Sequence, residues 1–166
     1  SPGFGINPQS DDADTVKRFE NYIRNQQYQE LEPLVRDYLE SNPTSAWGHY
    51  VLGYALFGLH RIGDSITAPA KSLQLDVKNA DAHRLLGRNL MLIGRFDVPQ
   101  TELEQAVKLS PQRADIHYDL GKIHSAQDNY PPAKVELEEA IRLDPSYMEA
   151  YDALGFVMES MGDDNA

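Results

Sequence analysis

The chain of 166 residues contains no cysteine. Disulfides and thiolate metal sites are therefore excluded, although this absence does not distinguish a cytosolic from an exported compartment. No apolar run approaches the roughly 20 residues that a membrane-spanning helix needs, so membrane insertion is not expected. Basic residues are few: 15 Lys and Arg stand against 26 Asp and Glu, for a net charge of −11. Nucleic-acid binding relies on Lys and Arg displacing counterions from phosphates, and this balance argues against it. The first residues, Ser1-Pro2-Gly3-Phe4-Gly5, have neither an initiator methionine nor the layout of a signal peptide. They suggest a trimmed or processed end, with residues 1–11 forming a flexible lead-in.

What is present is a period. Leu52-Gly53, Leu86-Gly87, Leu120-Gly121 and Leu154-Gly155 follow one another at steps of 34 residues. Pro111 and Pro145 share that step, and Pro43 lies two steps before Pro111. The resulting frame sets repeats at 12–45, 46–79, 80–113 and 114–147, with a partial repeat at 148–166. Tyr28, Ile62, Phe96 and Tyr130 then share one column, and Leu39, Leu73, Val107 and Ile141 another.

Inside each repeat the apolar residues are spaced by three and four, which is the helical pattern. Residues 114–127 form one helix, and Pro131-Pro132 opens a second, where the first turn has no internal amide bond to lose. Pro145 ends it, because the residue before a proline is pushed out of the helical region. Pro69 should kink the second helix of its repeat or delay its start, since proline removes a helical donor. A local irregularity is expected at 65–69. Glycine inside a helix costs about 1 kcal/mol relative to alanine, so its recurrence calls for a reason. Close approach of the paired helix is the natural one, with Ser72, Ala106 and Ala140 as the matching small residues.

These columns resemble the tetratricopeptide repeat, a helix–turn–helix unit of 34 residues. The match runs over residues 46–155, and the repeat at 12–45 is degenerate, with Arg18 and Phe19 in the Leu and Gly slots. The resemblance implies an all-α, right-handed α-solenoid of about four and a half repeats and nine helices, in a single domain over 12–166. It also implies a protein- or peptide-binding scaffold rather than an enzyme, because the concave surface of this family is lined by the first helices. Read at the lining positions, this sequence offers Trp47, Tyr50, Tyr54 and Phe57, then Arg84, Arg88 and Met91 with Asp81, then Tyr118, Lys122 and Ser125 with Asp115. An aromatic strip would stand beside a basic strip and suit a peptide with acidic and apolar side chains. A second reading stays open for these residues: Arg84 and Lys122 paired with nearby aspartates, and Trp47 and Tyr50 packed on the first repeat.

Some members of the family hold a partner's terminal carboxylate with a Lys/Asn/Lys/Arg clamp. The slots for its Lys and Asn hold Val16 and Glu20, Tyr50 and Tyr54, Arg84 and Arg88, or Tyr118 and Lys122, so the clamp is not expected here. The partial last repeat leaves Phe156, Val157, Met158 and Met161 without the cover of a second helix. Three readings of it remain open: a terminal cap, a chain cut from a longer one, or a homodimer through residues 148–161.

Several chemical motifs are set aside. His49, His83 and His117 recur at the repeat step, but equivalent atoms on successive helix pairs lie roughly 10 Å apart. Zinc requires all its ligands at about 2 Å. The slot ordinarily holds a packing residue, as Tyr151 does, and no metal or cofactor is expected. His124 falls in a column of Leu56, Leu90 and Met158 and is expected to pack with its ring hydrogen-bonded. The segment 58–65 imitates a phosphate loop, but it lacks the lysine and joins two helices. Glu102, Glu104, Glu136, Glu138 and Glu139 fall on second helices and form a solvated face rather than an acid–base pair.

Overall fold

A computed structural model describes residues 11–162; the lead-in expected to be flexible lies outside the described residues except for Asp11. That residue is buried and accepts hydrogen bonds from Tyr38 and Ser45. The last residue assigned to the lead-in therefore belongs to the folded first repeat.

The described residues form nine helices and no strands. They are α1 (Ala13–Arg24), α2 (Tyr28–Ser41), α3 (Ala46–Gly58), α4 (Ile62–Leu75), α5 (Ala80–Leu92), α6 (Asp97–Leu109), α7 (Ala114–Ala126), α8 (Tyr130–Leu143) and α9 (Met148–Ser160). Each 34-residue unit holds a pair. Asp12, Ser45 and Asn79 cap the first helices of their units by accepting a backbone amide, which satisfies a donor the helix leaves open. The turns are also periodic. Gln26, His60, Gly94, Asp128 and Gly162 all have positive φ, between 55° and 78°, and they lie one repeat apart.

Each helix packs on its sequence neighbour, and first helices also touch across repeats: α3 with α5, α5 with α7, α7 with α9. No pair of second helices has comparable contact. The first helices therefore form the inner layer and the second helices the outer one.

The recurring glycines mark the close approach of paired helices, but the partner slot is not the expected one. A Cβ on Gly53 would lie 2.7 Å from Pro69 Cδ, one on Gly87 3.1 Å from Leu103, and one on Gly121 2.8 Å from Leu137. Pro69, Leu103 and Leu137 share one column, three residues before Ser72, Ala106 and Ala140. Those three small residues are fully buried, and Ser72 and Ala106 meet the start of a first helix instead. Ser72 Oγ donates to the Ala46 carbonyl at 2.7 Å, and Ala106 packs with Ala80 and Ile116.

The irregularity expected at 65–69 is also absent, because α4 runs unbroken from Ile62 to Leu75 with Pro69 inside it. Pro69 supplies no amide to the Ser65 carbonyl. The fully buried Asn89 of α5 donates to that carbonyl at 3.2 Å and to the Leu85 carbonyl at 2.9 Å. Ser65 Oγ donates in return to Asn89 Oδ1. A neighbouring helix fills the gap in the ladder, so the helix has no need to bend or start late.

Candidate partner-binding face

The inner layer presents first-helix side chains from α3, α5, α7 and α9, and the residues singled out in the sequence divide there into three groups.

Trp47 and Tyr50 are inside the protein, at 1% and 3% exposure. Trp47 stacks on Phe19, with ring centroids 5.6 Å apart, and meets Tyr38 edge-on at 5.5 Å. The degenerate first repeat explains this. Phe19 occupies the slot that holds glycine in later repeats, and its ring reaches the indole. Burial, followed by the Asp81 charge, drives the Tyr50 hydroxyl well above the usual tyrosine pKa. Trp47 builds the aromatic core between repeats one and two, while Tyr50 is buried against Tyr54, with ring centroids 6.0 Å apart, and near Asp81 and Arg84 of α5; neither is exposed on the inner face, which corrects the first part of the aromatic strip.

Arg84 is committed to internal ion pairs. Its Nε meets Asp119 at 2.5 Å and its Nη1 meets Asp115 at 3.2 Å. Burial works against the Arg84 cation, but the Asp119 and Asp115 carboxylates overcome it and hold its pKa above the usual arginine value. Arg113 extends the network, bonding Asp81 at 2.6 Å and Asp115 at 2.7 Å. Three arginines, Arg84, Arg88 and Arg113, thus face three aspartates, Asp81, Asp115 and Asp119. What looked like a basic strip is a nearly balanced lattice that ties α5 to α7.

The third group is accessible. Tyr54, Phe57, Met91, Tyr118 and Ser125 are half-buried and Lys122 is exposed. The Arg88 guanidinium sits 5.2 Å above the Phe57 ring, and the Lys122 ammonium 5.6 Å from the Tyr118 ring. Arg88 and Lys122 occupy the same repeat slot. Arg88 keeps 38% of its side chain exposed, with its nearest carboxylate, Asp119, at 3.9 Å. Among the described residues Lys122 pairs with no carboxylate.

One contributor was not recognised in the sequence. Phe156 holds the slot of Tyr54, Arg88 and Lys122 one repeat further on, and it is 57% exposed. With Tyr118, Lys122, Glu149 and Ala153 it lines a cleft of about 620 Å³ between α7 and α9. The 34-residue step from Lys122 to Phe156 was the available signal. The lack of cover expected for both Phe156 and Val157 holds for Phe156 alone, since Val157 is fully buried in the core. Met158 is half-buried, while Met161 is exposed as expected.

The recurring histidines have a shared structural task. Nε2 of His49, His83 and His117 lies 2.8–2.9 Å from the carbonyl six residues earlier, and the Tyr151 hydroxyl donates to Pro145 in the same way. Nδ1 of His83 meets Glu102, and Nδ1 of His117 meets Glu136, both at 2.6 Å. These rings tie the turn between repeats to the helix pair. Glu102 and Glu136 act as partners of these rings, a role not read from the sequence. His124 is buried in its packing column, but its Nδ1 has no hydrogen-bond partner among the described residues, contrary to expectation.

Helix pairs at a 34-residue step, inner first helices and glycine contacts at a fixed slot define the tetratricopeptide solenoid. The family model for the tetratricopeptide repeat matches residues 114–147, so the fourth unit is a tetratricopeptide repeat and the described residues share that fold. Among solved structures it is similar to MamA of Desulfovibrio magneticus RS-1, with a TM-score of 0.79 and 21% identity over 89% of this chain and 84% of that one. It is also similar to YrrB, a TPR protein with an unusual peptide-binding site (TM-score 0.75, 14% identity, 95% of this chain and 81% of that one). A third is the first TPR of Spaghetti (RPAP3), solved with the HSP90 peptide SRMEEVD (TM-score 0.69, 19% identity, 70% and 93%). No curated protein sequence matches the chain.

Proposed function

We propose that the chain is a non-enzymatic scaffold that binds a protein or peptide segment along the inner face of α3, α5, α7 and α9. The observation that carries this reading is the pair of cations set over aromatic rings, Arg88 on Phe57 and Lys122 on Tyr118, one repeat apart on a protein of net charge −11. Aromatic and arginine side chains in partly desolvated positions are the usual anchors of an interface. The half-buried Tyr54 and the exposed Phe156 extend the apolar surface on either side.

The partner this face suits is an extended or helical segment with acidic and apolar side chains. Its carboxylates would meet Arg88 and Lys122, not Arg84. Two of the similar solved structures, YrrB and the Spaghetti TPR, are described with a peptide-binding site or a bound peptide, which supports a peptide-binding use of the fold. The HSP90 tail itself is not proposed, since the Lys and Asn slots of the carboxylate clamp are empty of those residues.

A peptide selected on the wild-type protein from a random library tests the reading. Arg88→Glu with Lys122→Glu should weaken its binding by at least about tenfold, roughly 1.4 kcal/mol. Unchanged affinity in that folded double variant would remove the inner face as the site.

A second reading has its own observation. Met148, Tyr151 and Phe156 of α9 are exposed, and Gly155, unlike its three counterparts, has nothing within 4 Å of a Cβ position. Self-assembly through α9 would cover this surface. A mass by light scattering that stays monomeric at all concentrations would dismiss it.

A further inference from the structure

The repeats provide an internal comparison that exposes a missing group. In the third repeat Glu102 of α6 bonds His83 Nδ1, and in the fourth Glu136 of α8 bonds His117 Nδ1, each 19 residues after its histidine. The same step from His49 reaches Ala68 of α4. His49 keeps the bond from its Nε2 position to the Pro43 carbonyl at 2.9 Å. Its Nδ1 has no partner among the described residues.

A cavity of about 300 Å³ occupies the place of the absent carboxylate. It is lined by both His49 and Ala68, with Leu52 and Leu56 as an apolar floor. Arg36 of α2 and Lys71 of α4 also line it, against a single acid, Asp64. Arg36 already pairs with Glu32 at 2.9 Å, and Asp64 with Arg61 at 3.0 Å. Lys71 pairs with no carboxylate among the described residues. The cavity thus offers a histidine nitrogen, an uncommitted ammonium and a small floor residue. The face of α3 that carries His49, Leu52 and Leu56 differs from the face that carries Tyr54 and Phe57, so this cavity is separate from the inner binding face.

We propose that this cavity is a carboxylate-binding site, in which a ligand's carboxylate takes the position that Glu102 and Glu136 fill in the next two repeats. With Nε2–H held by the Pro43 carbonyl, it is the imidazolium form of His49 that donates Nδ1–H to one oxygen, and Lys71 adds a second positive charge. The two intramolecular pairs show that this fold accommodates a carboxylate against this histidine slot. The local balance, two fixed cations against one aspartate, makes an anion the favoured occupant on an otherwise acidic protein.

The test follows the His49 imidazole nitrogens by NMR in the intact protein during titration with propionate, a free analogue of the glutamate side chain. Saturable movement of the His49 resonances is expected, with the His83 ring unchanged. Ala68→Glu should move His49 in the same direction without ligand and abolish the response. Ala68→Gln, which fills the space without the charge, should also block propionate and serves if the glutamate variant does not fold. Lys71→Ala should weaken binding severalfold. A parallel titration with a capped Ala-Glu-Ala peptide separates the two sources of a carboxylate. Binding about tenfold tighter than propionate assigns the site to a glutamate on a partner segment, and equal binding assigns it to free small carboxylates. No saturable His49 shift with either probe overturns the proposal, as does an equal response to chloride or an undiminished response in the filled variants.

Discussion

The Asn89 side-chain amide donates to the Ser65 carbonyl at 3.2 Å, the acceptor that Pro69 leaves without an amide one turn along α4. Removing Asn89 strands the buried Ser65 carbonyl, while the Ser65 hydroxyl keeps the Ile62 carbonyl as a partner at 3.0 Å. Leaving such a group unsatisfied costs about 1–3 kcal/mol, so Asn89→Ala should lower the unfolding free energy from urea titration by that much. In a Pro69→Ala background the restored helix amide satisfies Ser65, and the same substitution should cost less. A double-mutant cycle with no coupling between the two positions would refute the compensation.

The glycine column gives a paired prediction. A Cβ at Gly121 meets Leu137 at 2.8 Å, while at Gly155 it meets open space. Overpacking of this kind costs about 1–3 kcal/mol, whereas alanine in an unobstructed helix gains up to about 1 kcal/mol over glycine. Gly121→Ala should therefore destabilise and Gly155→Ala should stabilise, in chemical denaturation of the two variants. The same sign for both would contradict the packing account.

Arg84 predicts folding loss before binding loss. Asp119 is 4% exposed and depends on Arg84 for its nearest cation. Removing one partner of a buried pair costs about 3 kcal/mol or more. Arg84→Met should destabilise by that order, and adding Asp119→Asn should recover part of it. Full stability in the single variant would show that the lattice contributes little.

The His83–Glu102 pair makes stability depend on pH. Both ring nitrogens face acceptors, Glu102 and the Val77 carbonyl, so both are bonded only in the imidazolium form. Burial lowers the His83 pKa, and the Glu102 hydrogen bond, the Val77 carbonyl and the Glu102 charge more than offset it, so the value lies above 6.5. A raised folded-state pKa contributes stability that is fully present below the unfolded value and is lost as pH rises through the folded one. Urea midpoints should fall as pH rises above about 6.5 and through the higher folded-state value, and Glu102→Ala should reduce that fall. A slope unchanged by Glu102→Ala would remove His83 as its source.

The period, the helix pairs and the close-packing glycines were legible in the sequence because each depends on residue type recurring in a column. The left-handed turn position was not. It is filled by Gln26, His60, Gly94, Asp128 and Gly162, so the backbone repeats where the side chains do not. The site was only partly legible for a related reason. Position on a helix face follows from the repeat spacing, as for Arg88 and Lys122 in one slot, but burial depends on what packs opposite. Phe19 in a glycine slot drew Trp47 inward, and Asp119, one residue beyond Tyr118, claimed Arg84. Neither event can be read from a single column, since each is a contact between different repeats.

The central claim is that a partner segment lies along the inner face, and the location of a bound peptide tests it most directly. A library-selected peptide carrying a paramagnetic label should broaden the NMR signals of Tyr54, Phe57, Tyr118 and Phe156 and leave the exposed Val135 of the outer helix α8 sharp. Broadening centred on Val135, with the four aromatic residues unaffected, would contradict the account.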